Sequence, residues 1–238
     1  MKIRKVTIII PAHNSGQNLI YAVESIKRST IVPFKMIIVN DGSTDDTPKI
    51  ARELADKYPE IKVIDLSVRE KPKVYDGRLI YVFNQGIKAA DKDSDIYLTH
   101  DDVIHFPLHK KDWMIMFSNA ADKEDCGLVT SLSCWGISDS MYKKDFRWVG
   151  TWSMYIPNRT IKEIGLLDEK FIVGDDIDYT YRVTKAKKRV YVVPFWVDHH
   201  RESNHQYSEE KDEVKEAKEY GKLAKISGDY FKKKHGIK

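Results

Sequence analysis

The sequence predicts an α/β fold: a Rossmann-type, mostly parallel sheet flanked by helices, then a mixed-sheet half, then a C-terminal helix. Over roughly its first hundred residues, short β-branched runs alternate with segments of helical period. That is the order of strands joined by crossover helices. The runs are apolar throughout, as strands are when helices cover both of their faces. With 238 residues, 42% of them hydrophobic, the chain has material for a substantial core.

Each element has its own justification. Residues 6–10 form the first β-branched run, and "QNLIYAVESIKRS" then places Leu19, Val23 and Ile26 on one helical face. "FKMIIVN" is the second strand; the turn "DGST" leads into the helical "DDTPKIARELADKY", with Ser43 or Thr44 as N-cap. "IKVIDL", the helical "GRLIYVFNQGIKAA" and the strand "DIYL" complete the first half. Beyond Asp102 the rhythm changes. Pro107 opens a helix carrying Trp113, Met116, Phe117 and Ala120. "CGLVTSLSCW" and "WVGTWSMYIP" read as strands separated by a polar loop at 136–146. A short helix spans Asn158–Ile164, a further helix takes the second half of "GLLDEKFIVGDDIDYTYRVTKAK", and "RVYVVPFWV" is the last strand. Residues 209–234 form a polar helix whose apolar stripe is Leu223, Ile226 and Tyr230, a helix expected to dock on its own domain. The expected organisation is 1–104 as a nucleotide-binding half, 105–207 as the second half of the same domain, and 208–238 as a helical extension.

Composition excludes several classes. Forty Lys and Arg against 36 Asp and Glu leave a formal net charge of +4, and no compact basic motif argues for nucleic acid. Lys232-Lys233-Lys234 reads as a solvated tail. Along one strand, Cys126 and Cys134 stand eight steps of about 3.3 Å apart, too far to bridge. Reduced thiols fit a cytoplasmic protein. The apolar run in "MKIRKVTIIIPAHN" is too short for a signal peptide, and no run reaches the roughly 18 residues of a spanning helix. Peripheral attachment to a membrane and a homodimer are both compatible with this composition.

Three polar clusters follow predicted strands: "PAHNSG", "NDGSTDD" and "THDD". In an open parallel sheet ligands bind beyond the carboxyl ends of the strands, where helix N-termini also point. Each cluster taken alone is an ordinary turn or helix start. Together they gather Asp41, Asp101, Asp102, His13 and His100 at one end of the sheet, an expensive arrangement unless a ligand offsets it. Clustered carboxylates suit Mn²⁺ or Mg²⁺, which bridge to substrate phosphate oxygens, so a nucleoside diphosphate is a natural partner.

These residues carry a family resemblance. "VTIIIPAHNSGQNLIYAVESI", "MIIVNDGSTDDTPKIA", "FNQGIKAA", "IYLTHDDVIHFP", "GTWSMYIPNRTIKEIGLLDEKF" and "GDDIDYTYRV" resemble the successive motifs of glycosyltransferase family 2, inverting enzymes of GT-A fold. The resemblance implies a nucleotide-sugar site at Pro11, Ala12, His13, Asn14, Asp41, Gly42, Ser43, Asn84 and Asp101. It implies metal ligation by Asp102, with His100 and His200 as further candidates (His199 is the alternative to His200). Gly150, Thr151 and Trp152 then fall on the acceptor side, where Trp148 and Trp135 are candidate pocket walls, and Arg201 is a candidate phosphate contact. Three departures stand out: His100 replaces the first carboxylate of the D-x-D motif, Asp175-Asp176 stands in place of Glu-Asp before the last motif's helix, and Phe83 stands where many relatives carry Arg.

For "GDDID", a purely structural reading makes Asp175 the N-cap and Asp178 the N3 residue of a helix, which leaves Asp176 without a task. Asp176 is therefore the candidate general base, with Asp175 second. The implied reaction moves a sugar from a nucleoside-diphosphate sugar to an acceptor hydroxyl of a glycan, lipid-linked or protein acceptor, through a transition state of oxocarbenium character. The alternative is a catalytically inactive nucleotide-sugar-binding protein of the same fold. A nucleotidyltransferase would need a Gly-rich phosphate loop that "PAHNSGQN" lacks, and a phosphoesterase would not need a distant acidic pair near residue 175.

Overall fold

The structure, a computed structural model, describes residues 4–67, 77–106, 112–133, 138–139, 147–199 and 213–237. Its first half is β1 (Val6–Ala12), α1 (Gln17–Ser29), β2 (Lys35–Asp41), α2 (Thr47–Lys57), β3 (Ile61–Leu66), α3 (Arg78–Ala89) and β4 (Asp95–Leu98). The second half is β5 (Val103–Phe106), α4 (Trp113–Ala121), β6 (Cys126–Ser133), β7 (Ser138–Asp139), β8 (Arg147–Trp148), a 3₁₀ turn (Thr151–Ser153), β9 (Met154–Ile156), α5 (Asn158–Ile164), α6 (Asp175–Lys185), β10 (Arg189–His199) and α7 (Glu213–His235).

Eight strands form one sheet in the order β3-β2-β1-β4-β9-β6-β10-β5. Strands β3, β2, β1 and β4 run parallel; β9 runs antiparallel to β4 and to β6, and β5 antiparallel to β10. This is the expected mostly parallel sheet with a mixed half. Every residue of β1 and β4 is buried, because apolar clusters lie on both sides. One cluster packs Leu19, Val23 and Ile26 of α1 with Ala51 and Leu54 of α2 and Trp113 and Phe117 of α4. The other packs Ile80 and Phe83 of α3 with Ile177 and Val183 of α6 and Phe231 of α7. The C-terminal helix therefore docks on its own domain, through Phe231 rather than Ile226, which is 56% exposed. Among the described residues no helix is long and apolar enough to cross a membrane.

Several local expectations need correction. The N-cap of α2 is Asp46, with Pro48 at the helix start, so Ser43 and Thr44 stay in the loop. Their polar groups serve the neighbouring β1–α1 loop instead: Ser43 Oγ accepts from Asn14 N at 3.0 Å and Thr44 N donates to Asn14 Oδ1 at 2.8 Å. Helix α4 starts after Asp112, whose carboxylate caps Met114 N and Ile115 N; Pro107 lies outside the described residues. Segment 103–106, which precedes the helix expected from Pro107, is an edge strand. Only pairing with the end of β10 makes it one, and local pattern does not report that. Strand β10 also bulges at 194–195, where its register against β6 shifts. "WVGTWSMYIP" breaks into β8, a turn and β9, since the 3₁₀ turn at Thr151 interrupts the extended run. Cys126 is buried and its thiol is pushed up to about 11 by burial; Cys134 lies outside the described residues.

His105 is a core residue at 1% exposure. Its Nε2 lies 2.9 Å from Tyr97 Oη, and its ring packs among Tyr97, Trp113 and Phe195. Burial pushes its pKa from 6.5 down to about 3. The unfolded imidazole takes a proton near 6.5 while the folded one does not, so this contribution is complete above that pH and drains away as pH falls toward 3. The melting-temperature gap between wild type and His105→Leu should therefore shift against wild type on going from pH 7 to pH 4.5. A gap independent of pH would contradict it.

Candidate active site

The β1, β2 and β4 loops meet at one end of the sheet, because all three strands are parallel and adjacent. They are laced together. Thr47 Oγ1 accepts from Ser15 N at 2.8 Å and Gly16 N at 2.9 Å, and the Ser15 hydroxyl donates to the Asp101 carboxylate. His13 Nδ1 donates to the carbonyl of Asp41 at 2.7 Å, which places that proton on Nδ1. Asn14 adopts φ 50°, a left-handed conformation that Asn tolerates. Gly42, at φ 63°, turns the chain after β2. Pro11 and Ala12 are buried in β1, so only their backbone can face a ligand. Asp41, its side chain 3% exposed, accepts from Arg78 Nε at 2.9 Å. Sequence reasoning missed Arg78, which lies at the start of α3 near the position where Phe83 replaces the family's Arg. Phe83 itself is fully buried, its ring centroid 5.6 Å from that of His100.

Asn84 is placed differently from expectation. It is 1% exposed, its Nδ2 donates to Leu167 O and Glu169 Oε1, and its Oδ1 accepts from Leu167 N. The amide is committed to holding the loop after α5.

The antiparallel register between β5 and β10 sets His199 opposite Val103, immediately beyond Asp102. As a result His100, Asp102 and His199 offer ligand atoms that all lie within 4.8 Å of one another. His199 Nε2 is 3.2 Å from Asp102 Oδ1, with side chains 7% and 3% exposed. Nε2 of His199 thus has the Asp102 carboxylate beside it, but among the described residues its Nδ1 has no hydrogen-bond partner. Such a nitrogen is costly without a partner and fits a coordinated ion. Burial, then the nearby His199, pushes the His100 pKa down to about 4, so this ring stays neutral and able to ligate. Asp101 is pushed up to about 7 by burial and by the charge of Asp102. His200 and Arg201 lie outside the described residues.

The segment before β9 supports this cluster. Thr151 Oγ1 sits 3.1 Å from His100 Nε2, and the Trp152 ring stacks on His199 at 5.5 Å between centroids and 25° between planes. Trp148 meets Trp152 edge-on at 5.6 Å. Gly150 lies beneath the Trp152 indole; a Cβ there would come 2.1 Å from Cζ3. Trp135 lies outside the described residues.

Segment 147–152 also contacts α6, where Val149 N donates to Thr180 Oγ1 at 3.3 Å. Helix α6 begins at Asp175 with Gly174, at φ 77°, as its N-cap; Asp175 and Asp178 are thus N1 and N4 rather than N-cap and N3. The left-handed residue before the helix requires Gly, which shifts the expected caps by one position. Asp175 and Asp176 are each 8% exposed. Asp176 Oδ1 accepts from Ile177 N at 2.8 Å, while Asp175 Oδ2 has no hydrogen bond among the described residues. Burial pushes Asp175 up to about 6. Burial and the charge of Asp175 push Asp176 well above the usual carboxylate range.

This chain is similar to known proteins in sequence and in fold. A Salmonella typhimurium O-antigen chain rhamnosyltransferase, RfbN, is 28% identical over 130 residues, covering 52% of this chain and 36% of that protein. The uncharacterized glycosyltransferase RT0329 of Rickettsia typhi is 28% identical over 200 residues, covering 76% of this chain and 59% of that protein. This chain therefore spans little more than half of the Rickettsia protein and about a third of the Salmonella one. Among solved structures, the mannosyltransferase PcManGT of Pyrobaculum calidifontis, in complex with GDP-Man and Mn²⁺, aligns with a TM-score of 0.65 at 15% identity, over 82% of this chain and 56% of that one. That likeness shows the GT-A type of fold. The sequence profile described as Glycosyl transferase family 2 matches residues 7–130, and on that match this chain belongs to glycosyl transferase family 2.

Proposed function

We propose that this chain is an inverting glycosyltransferase that moves a sugar from a nucleoside-diphosphate sugar to an acceptor hydroxyl. The observation that carries the reading is the convergence of His100, Asp102 and His199 at the strand ends where the family motifs lie. Two imidazoles beside one carboxylate favour Mn²⁺ over Mg²⁺, which takes oxygen ligands almost exclusively. When bound, the ion supplies positive charge for the departing diphosphate. The chain's own residues do the rest. The interlocked β1 and β2 loops, with His13, Asn14, Asp41, Gly42, Ser43 and Asp101, hold the nucleoside side of the sugar donor. Thr151 and Trp152 hold the rings of His100 and His199 in place, and with Gly150 and Trp148 they also wall the acceptor side. Asp176 takes the proton of the attacking hydroxyl, and its raised pKa brings it nearer the working pH that suits a general base. In this reading 1–104 carries the sugar-donor site, 105–207 the acceptor side and base, and 208–238 a helical extension.

The reading is tested with a panel of nucleoside diphosphates and nucleotide sugars, each with and without Mn²⁺. A Mn²⁺-dependent thermal shift for at least one nucleotide, and release of free diphosphate from its sugar, are expected. Binding without turnover would favour the inactive binding protein, and no shift with any nucleotide would overturn the sugar-donor site. A local test uses Gly150→Ala. The added methyl displaces Trp152 from His199, so Mn²⁺ affinity should fall by about tenfold in calorimetric titration. Unchanged affinity would disconnect Trp152 from the cluster.

A further inference from the structure

We propose that the C-terminal helix α7 is a positioning element for the general base, its residues Ser227, Tyr230, Lys234 and His235 holding the 168–174 loop and the first turns of α6 so that Asp176 faces the reacting hydroxyl. This rests on the assignment of Asp176 as base. The contacts converge on the segment that leads into that residue. Ser227 Oγ accepts from both Ile172 N and Val173 N at 3.3 Å, just before Gly174 turns the chain into α6. Tyr230 Oη donates to Asp168 Oδ2 at 2.9 Å, and its ring meets Phe171 edge-on at 4.9 Å. Lys234 Nζ joins the loop to the helix, donating to Asp168 Oδ2 at 2.7 Å and to Asp178 Oδ1 at 2.8 Å. His235 Nε2 reaches the same Asp178 oxygen at 2.8 Å, and Arg182 Nε takes the other oxygen at 2.8 Å.

Asp178 is fully buried two positions after Asp176, so its carboxylate depends on these partners. Lys234 is therefore not part of a solvated tail: its side chain is 23% exposed and bonded to two acids. The loop also approaches the start of α3 closely: a Cβ on Gly77 would come 2.8 Å from the carbonyl oxygen of Phe171. Gly77 directly precedes Arg78, the partner of Asp41. The loop thus contacts both α7 and the residue that precedes α3.

Lys234→Ala in the full chain tests this, with Lys234→Arg as its control. The expected result is at least about a tenfold lower kcat with KM for the sugar donor within about twofold, and recovery of most of the rate by Lys234→Arg. An independent readout needs no activity. Amide hydrogens of residues 172–178 should exchange at least about tenfold faster in Lys234→Ala, while those of β1 and α1 are unchanged. Unchanged exchange at 172–178 would overturn the proposal, as would a variant whose KM rises at constant kcat. If the wild type transfers no sugar at all, the base assignment fails, and faster local exchange would still uphold the link between α7 and Asp176.

Discussion

Asp176→Asn is expected to lower sugar transfer by about 10²–10⁴-fold, the usual contribution of a general base, while Mn²⁺-dependent nucleotide binding stays within about twofold of wild type. The amide keeps the shape of the carboxylate and can still accept from Ile177 N, so a loss cannot be charged to the helix start. The pH profile gives a second reading. Burial and the charge of Asp175 hold Asp176 well above 3.8, so the rate should fall on the acid side of a pKa raised above the ordinary carboxylate range. Asp175→Asn removes one of those causes, the negative neighbour. Its acid limb should therefore move to lower pH with a much smaller loss of rate. Near-normal turnover by Asp176→Asn, or an acid limb that Asp175→Asn moves upward, would take the base role away from Asp176.

Asp102→Ala should abolish the response to Mn²⁺. Among the described residues Asp102 supplies the sole carboxylate of the cluster, and an ion at a departing diphosphate is worth several kcal/mol, which would correspond to a loss of about 10²–10³-fold in transfer. The same loss is expected when wild type is stripped with a chelator, and added Mn²⁺ should restore wild type but not the variant. Thermal shifts distinguish this from unfolding: Asp102→Ala should melt as a cooperative unit yet show no nucleotide-dependent gain with Mn²⁺. Full rescue of the variant by Mn²⁺ would move the ion elsewhere.

The two histidines of the cluster illustrate how far sequence reaches. His100 was legible because it directly precedes Asp101 and Asp102 at the end of a predicted strand. His199 and His200 could not be told apart, since consecutive residues differ only in which side of a strand they face. The pairing of β10 with β5 sets His199 beside Asp102, while His200 lies outside the described residues. Arg78 was missed for a similar reason. Its partner Asp41 lies 37 residues earlier, and nothing in either neighbourhood announces the bond. Asn84, placed by its motif at the sugar donor, proved to spend its amide on Leu167 and Glu169.

By itself the sequence determined the alternation of strands and helices, the burial of both sheet faces, the end of the sheet where polar residues gather, and the family. These are local or periodic properties: β-branched runs, a 3.6-residue stripe and turn chemistry act over a few neighbours, and parallel order then brings strand ends together. Tertiary structure alone decided that His199 lies beside Asp102, what holds Asp41, and which acids Lys234 and His235 of α7 contact. Those outcomes depend on register and docking between segments up to about a hundred residues apart, where free energy is set by burial and pairing rather than by any local preference.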